Sequence, residues 1–400
     1  MLERLEVPVA VRATVLSWRA TLLWRAERGR EAIDAFTTAL DMLETQRLQH
    51  VYGLGARQNL ATLLFERGDL AASARLFEAA LADEARLRPG TLDEARVLVN
   101  AARNDDLLGR DELAAERYAR ADAILARLAP DAQLRAYVSV NWAEHLARVG
   151  QTAAAEARFE QAVAIARKLD RDCYCAGPTL RDYAVFAADR GRHDEALDLL
   201  AEARAVLARF DNGTAEQWSI DVQRADVLRQ AGRAAAAAAL IDAPLASIAR
   251  ELPDTPLHAA ALHVAGRIAD ARGDAAGARG AYCRAADVLD RIDVVREAPG
   301  FAAERFRARN AEIYRACLER TVDAGDATAA FRQFERLRVR SVAAEQAGRR
   351  LDYAGERDAV DQWRRRVYEL AEAEARVRDP ETDMGALQDS RSALAVARRG

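Results

Sequence analysis

Apolar side chains recur along this chain at helical spacing, and short polar turns carrying glycine interrupt them at regular intervals. Residues 12–28 place Val15, Leu16, Trp18, Leu22 and Leu23 on a helix that the pattern ends at Gly29. A second helix follows with Ala32, Phe36, Ala39 and Leu40. Residues three and four apart are neighbours on a helix, so this is a small-large-small stripe on one face. A small residue lets a partner helix approach, and the aromatic ring fills the space beside it. The stretch Glu66-Arg67-Gly68-Asp69, followed by a helix ending Phe77-Glu78-Ala79-Ala80-Leu81, states the same grammar most plainly.

That grammar repeats. Glycines at 68, 109, 150, 191, 232 and 273 are each 41 residues apart; Gly29 precedes them by 39 and Gly325 follows by 52. Nine residues after each glycine stand Phe77, Tyr118, Phe159, Leu200, Ile241, Tyr282 and Phe334. Twelve after stand Ala80, Ala121, Ala162, Ala203 and Ala285, and seven before stand Ala61, Ala102, Ala143, Ala184, Ala225 and Gly266. A fixed period of this length means a solenoid in which each unit buries its apolar face on its neighbours. The expectation is all-α, with about eight helical hairpins over residues 1–346 and a C-terminal helical hairpin or coiled-coil arm over 347–400.

Three places depart from the rule. Pro244 falls inside the second helix of the sixth unit, and a bend or shortened helix is expected there. The last unit has an insertion around Asp293–Phe301, then a long first helix to Ala324. Beyond it, amphipathic patterns over 356–378 and from Thr382, separated by Pro380, predict the terminal arm.

Composition narrows the function. Half the residues are apolar, 30% are charged and only 6% are aromatic, which suits helices packed through small side chains. A net charge of −4 argues against general nucleic-acid binding. No run approaches the ~18 apolar residues of a membrane span, and no signal pattern opens the chain, so a cytoplasmic protein is expected. Cys173, Cys175, Cys283 and Cys317 have neither metal-site spacing nor histidine company, and are read as reduced thiols. No nucleophile, acid–base pair, phosphate loop or metal motif appears around the five histidines, His50, His145, His193, His258 and His263. The chain is therefore read as non-enzymatic, without cofactor or metal.

The repeated A…G-(D/R)…A-x3-F/Y-x2-A units resemble the tetratricopeptide repeat (TPR) family, over most of residues 12–346. The usual unit has 34 residues, and the longer period here is similar to the long-unit repeats of kinesin light chains and bacterial sensor arrays. The resemblance implies a right-handed superhelix that binds protein or peptide along its concave side. Ala330, Glu335, Arg336, Arg338 and Arg340 resemble the junction between repeats and protease in bacterial TPR–CHAT proteins. That likeness implies a sensor or regulatory arm for an attached or associated caspase-like protease. The alternative is a stand-alone adaptor, or a peptide or small-molecule sensor.

Nine residues before the glycines, on first helices, stand Asn59, Asn100, Asn141, Asp182 and Gln223. In the resembling family such an amide holds a peptide backbone, and a carboxamide can indeed donate and accept at once. Four residues earlier are Gly55, Arg96, Tyr137 and Ser219; three later are Thr62, Arg103, Glu144, Asp226 and Arg267. This spacing shares one helix face. The candidate groove is Asn59, Arg96, Asn100, Arg103, Tyr137, Asn141, Glu144, Asp182 and Gln223, suited to an acidic or mixed peptide. The competing reading is that the amides tie one helix to the next.

Overall fold

The computed structural model describes residues 8–26, 28–45, 51–169, 173–210, 214–292 and 301–334. Among them the chain is all helix and turn. The hairpins are α1 (Val9–Arg25) with α2 (Gly29–Thr45), α3 (Val51–Glu66) with α4 (Leu70–Leu87), α5 (Leu92–Leu107) with α6 (Asp111–Leu128), and α7 (Gln133–Arg148) with α8 (Thr152–Leu169). They continue with α9 (Ala176–Ala188) and α10 (His193–Leu207), α11 (Thr214–Gln230) and α12 (Ala234–Glu251), and α13 (Pro256–Ala271) and α14 (Ala275–Arg291). The long first helix of the last unit is α15 (Phe301–Asp323), and helix resumes at 327. The expected arm over 347–400 and the junction residues from Glu335 onward lie outside the described residues.

The period originates in one repeated helix ending. After α3, Gly68 takes φ 82°, a left-handed conformation that costs glycine nothing. Its N–H bonds Phe65 O at 3.0 Å, and the Asp69 N–H reaches back to Leu64 O at 2.9 Å, which satisfies the last carbonyls of the helix. The same closing bond recurs from Arg110 to Asp105, Gln151 to Leu146, Arg192 to Ala187, Arg233 to Leu228 and Asp274 to Ala269. In the first unit it runs from Arg28 to Leu23, exactly one period before Asp69 to Leu64. Gly29 is thus not the turn glycine; it is the first residue of α2. Where aspartate follows the turn, as at Asp69 and Asp274, its carboxylate also accepts from the N–H three residues on and caps the second helix.

The hairpin seams are as the stripe predicts. Ala61, Ala102, Ala143, Ala184 and Ala225 are fully buried, and so are the rings of Phe77, Tyr118 and Phe159 that face them. Gly266 shows why small is required: a Cβ there would sit 2.5 Å from the Tyr282 ring. Two terminal positions differ. Trp18 and Leu22 are 68% and 67% exposed on α1, and Phe334 is 51% exposed, because no described neighbour stacks on them.

Two expectations are corrected. Helix α12 keeps its full 18 residues through Pro244, which is buried in it, so the expected shortening does not occur. A single proline removes one backbone bond, and packing on both sides holds the remaining turns in place. The cysteines are paired: Cys283 of α14 and Cys317 of α15 form a disulfide with Cα atoms 4.8 Å apart, and Cys173 and Cys175 form another. A separation of 34 residues hides the fact that successive helices stack side by side. None of the helices in the described residues is long and apolar enough to cross a membrane.

First helices of neighbouring hairpins touch from α1 through α13, as α1 with α3, α5 with α7 and α11 with α13, whereas neighbouring second helices meet sparsely. The first helices therefore line the inner face of the curve, and the amide stripe lies on them.

Candidate peptide-binding groove

The stripe gathers at one place. A cavity of about 610 Å³ opens between α5, α7 and α9, lined by Arg96, Arg103, Tyr137, Asn141, Glu144 and Asp182 among others. Six of the nine expected groove residues thus meet in one space of the size that binds small ligands or a few peptide side chains. Asn59, Asn100 and Gln223 do not line it. Asn59 donates weakly to Thr21 of α1 at 3.4 Å, which is the helix-tying role. The Gln223 carbonyl oxygen is buried without a partner.

The amides inside the cavity are less free than expected. Asn141 is buried, and its Nδ2 donates to Tyr137 O one turn back at 2.7 Å. Asp182 accepts from Arg181 at 2.9 and 3.0 Å. Burial followed by the pull of Arg181 leaves its carboxyl above the usual range. Arg103 donates to the Tyr137 hydroxyl at 2.5 Å and lies over the Phe65 ring at 5.1 Å. Arg96 pairs with Asp93 at 2.9 Å.

Glu144 differs from all of these. It is exposed to the cavity and forms no hydrogen bond or ion pair among the described residues. Crowding by the wall removes part of its hydration, and the nearby Asp182 charge adds repulsion; together they push its carboxyl up to about 7.

Sequence reasoning missed the floor at α9. Tyr174, Cys175, Pro178 and Thr179 also line the cavity. Pro178 was findable, since it continues the register of Arg96 and Tyr137 one period on. Tyr174 and Cys175 were not, because they belong to the turn before α9, where the period carries no side-chain rule.

One step along α7, His145 is buried and its Nδ1 lies 2.6 Å from Asp106 Oδ1. With Asp111 these groups come close enough to suggest a cation site. Arg148 donates to both carboxylates, at 2.7 and 2.8 Å, and already supplies the positive charge. The trio is better described as an ion-pair network locking α5, α6 and α7 together.

The tetratricopeptide repeat family matches residues 133–209, which span α7 to α10 and the main wall of the cavity. The array is a TPR-like solenoid. Its fold is shared with the apo form of the quorum sensor NprR from B. thuringiensis, at TM-score 0.59 and 12% identity, over 71% of this chain and 78% of that one. The apo form of RapI superposes at TM-score 0.53 and 13% identity, over 70% of this chain and 99% of that one. A Podosopora anserina putative kinesin light chain with TPR-like repeats is 23% identical over 52% of this chain and all of that one, at TM-score 0.44. No curated protein matches the chain. In this TPR-like solenoid the groove residues therefore have to be read from their own geometry.

Proposed function

We propose that the chain is a binding scaffold whose inner groove takes a peptide or an extended protein segment at the α5–α7–α9 cavity. One observation carries this reading. Three successive hairpins bring an aromatic ring, guanidinium groups and carboxylates of the same helix face into a single cavity of about 610 Å³. Core packing does not need these residue types there, and recognition does. The solenoid of NprR belongs to a quorum sensor by its description; at 12% identity that likeness bears on the fold, and the ligand reading rests on the cavity.

A displayed library of random peptides, panned against the full chain, tests the reading. Selected peptides are expected to bind the wild type and to lose at least about tenfold in affinity on Tyr137→Ala or Arg103→Ala, the scale of one well-made contact. Binding that survives both substitutions places the ligand elsewhere and sinks the proposal.

The output of such binding is, on this proposal, the regulation of a caspase-like protease, attached or associated, through residues 330–378. That part rests on Ala330, Glu335, Arg336, Arg338 and Arg340 and their resemblance to a repeat-to-protease junction. Hydrogen exchange is expected to change over 330–378 when a selected peptide binds. An unchanged profile there removes the protease step and leaves the scaffold.

A further inference from the structure

One charged group of the cavity lacks a hydrogen-bonded partner among the described residues. Arg96 is committed to Asp93, Arg181 to Asp182, and Arg103 to the Tyr137 hydroxyl and the Phe65 ring. Each guanidinium has its own partner inside the protein. The Glu144 carboxylate has no hydrogen bond or ion pair among the described residues. The charged and titratable groups around it are Arg103 and Asp106 from α5, Tyr118 from α6, Tyr137 from its own helix, and Arg181 and Asp182 from α9. The two arginines act on it only at a distance, and Asp182 repels it.

An unmatched anion on a partly dehydrated wall works against folding, and arrays of this kind can avoid it. Asp226, at the same register two periods later, is closed by Arg229 at 2.7 Å, Gln230 at 2.8 Å and Arg267 at 3.4 Å. Local rules broken without compensation inside the molecule are the mark of a site completed from outside it. A partner that completes Glu144 from outside is a cation, and the space open to it is lined by Tyr137, Asn141 and Tyr174.

We propose that Glu144 sets the specificity of the groove and that its ligand is a cationic peptide, one that presents a lysine or arginine side chain or a free amino terminus to Glu144 and Asp182. The inference rests on the peptide-binding reading of the cavity. It departs from the expectation of an acidic or mixed peptide, because the arginines that suggested acidity, Arg96 and Arg103, are already engaged internally. A charge-assisted contact of this kind is stronger than a neutral one and selects against acidic peptides by repulsion.

The pH dependence has a definite sign. Glu144 is an anion only above its titration near 7. Acidification from above 7 to below it therefore weakens the binding of a cationic ligand, while a bound cation holds Glu144 ionised to lower pH.

The test uses the full chain and three pools of short random peptides with acetylated amino termini, identical except for one fixed central residue: lysine, glutamine or glutamate. The lysine pool is expected to be retained best, by about tenfold over the glutamine pool, as for one charge-assisted hydrogen bond. Glu144→Gln, an isosteric change on the open wall, is expected to erase that preference without lowering the melting temperature. In the wild type alone, the lysine preference is expected to fade as pH drops through about 7. Equal retention of the three pools, or a lysine preference that survives Glu144→Gln, overturns the cationic reading and leaves peptide binding standing. Retention of no pool overturns both. A preference for lysine that is flat with pH also counts against Glu144.

Discussion

Three residues after the groove amide, α7 carries Glu144 and α11 carries Asp226. Both are acidic, both stand on a first helix facing the inner side, and the same backbone period places them. Their surroundings differ. Burial alone would raise Asp226, but the hydrogen bond from Arg229 and the charge of Arg267 bring its carboxyl below the ordinary range. At Glu144 burial raises the carboxyl to about 7; the neighbouring Arg103 bonds the Tyr137 hydroxyl and acts on Glu144 through its charge alone. An arginine one unit away could serve either acid. Whether it does depends on whether an aromatic hydroxyl intercepts it. The same slot is thus structural in one hairpin and open for recognition in another.

The comparison breaks most visibly under truncation. Asp226→Ala leaves Arg229 and Arg267 without their acceptor and is expected to lower stability by about 1–3 kcal/mol, the cost of orphaning a partly buried polar group. Glu144→Ala at the matched slot removes no bond and is not expected to lower stability at neutral pH. Urea unfolding midpoints measure both; equal losses would mean that Glu144 has a partner after all.

A second contrast is in pH. The folded state raises the Glu144 titration, so its contribution to stability is present below the ordinary carboxylate value of 4.5 and is lost as pH rises through about 7. The folded state lowers Asp226, so its contribution is present above 3.8 and is lost as pH falls through the lowered value. Thermal melts of wild type and Glu144→Gln should therefore converge in acid and separate at neutral pH, with the glutamine variant the more stable. Parallel curves would contradict the assignment.

The cause of the contrast can be tested directly. Tyr137→Phe removes the hydroxyl that holds Arg103. Arg103 is then free to turn to Glu144 as Arg267 does to Asp226, and the Glu144 titration, followed by NMR, is expected to drop below about 7. No movement would show that desolvation, not the diverted arginine, accounts for the whole shift.

The smallest effect is expected from Arg267→Ala. Arg229 and Gln230 still serve Asp226. The loss should be about 0.2–1 kcal/mol, as for partly exposed ion pairs, with a slight upward drift of the Asp226 titration.

Much of the fold was legible because helix hairpins obey local rules. The turn glycines, the small residues seven positions earlier and the ring nine positions later each have a meaning that depends only on spacing. The one misplaced turn, at Gly29, came from treating the residue type as the signal. The backbone bond from Arg28 to Leu23 follows the period, and the glycine does not. Pro244 misled for a related reason, since propensity speaks for an isolated helix and packing speaks for this one. Within the candidate site, the register of Arg96, Tyr137, Asn141, Glu144 and Asp182 was readable from spacing. Their partners were not. The arginines looked available to a ligand, and Arg96 and Arg103 are engaged; the amides looked available, and Asn141 bonds its own helix.

Residue spacing alone was enough to determine a repeat of helical hairpins, the seams that close them and the face that lines the groove, because the period of a helix converts spacing into direction. Tertiary structure decided which charges on that face are neutralised, which cysteines meet, and where three hairpins leave a cavity. Those outcomes depend on side chains from different units competing for the same partner, and that competition is settled by distances in space.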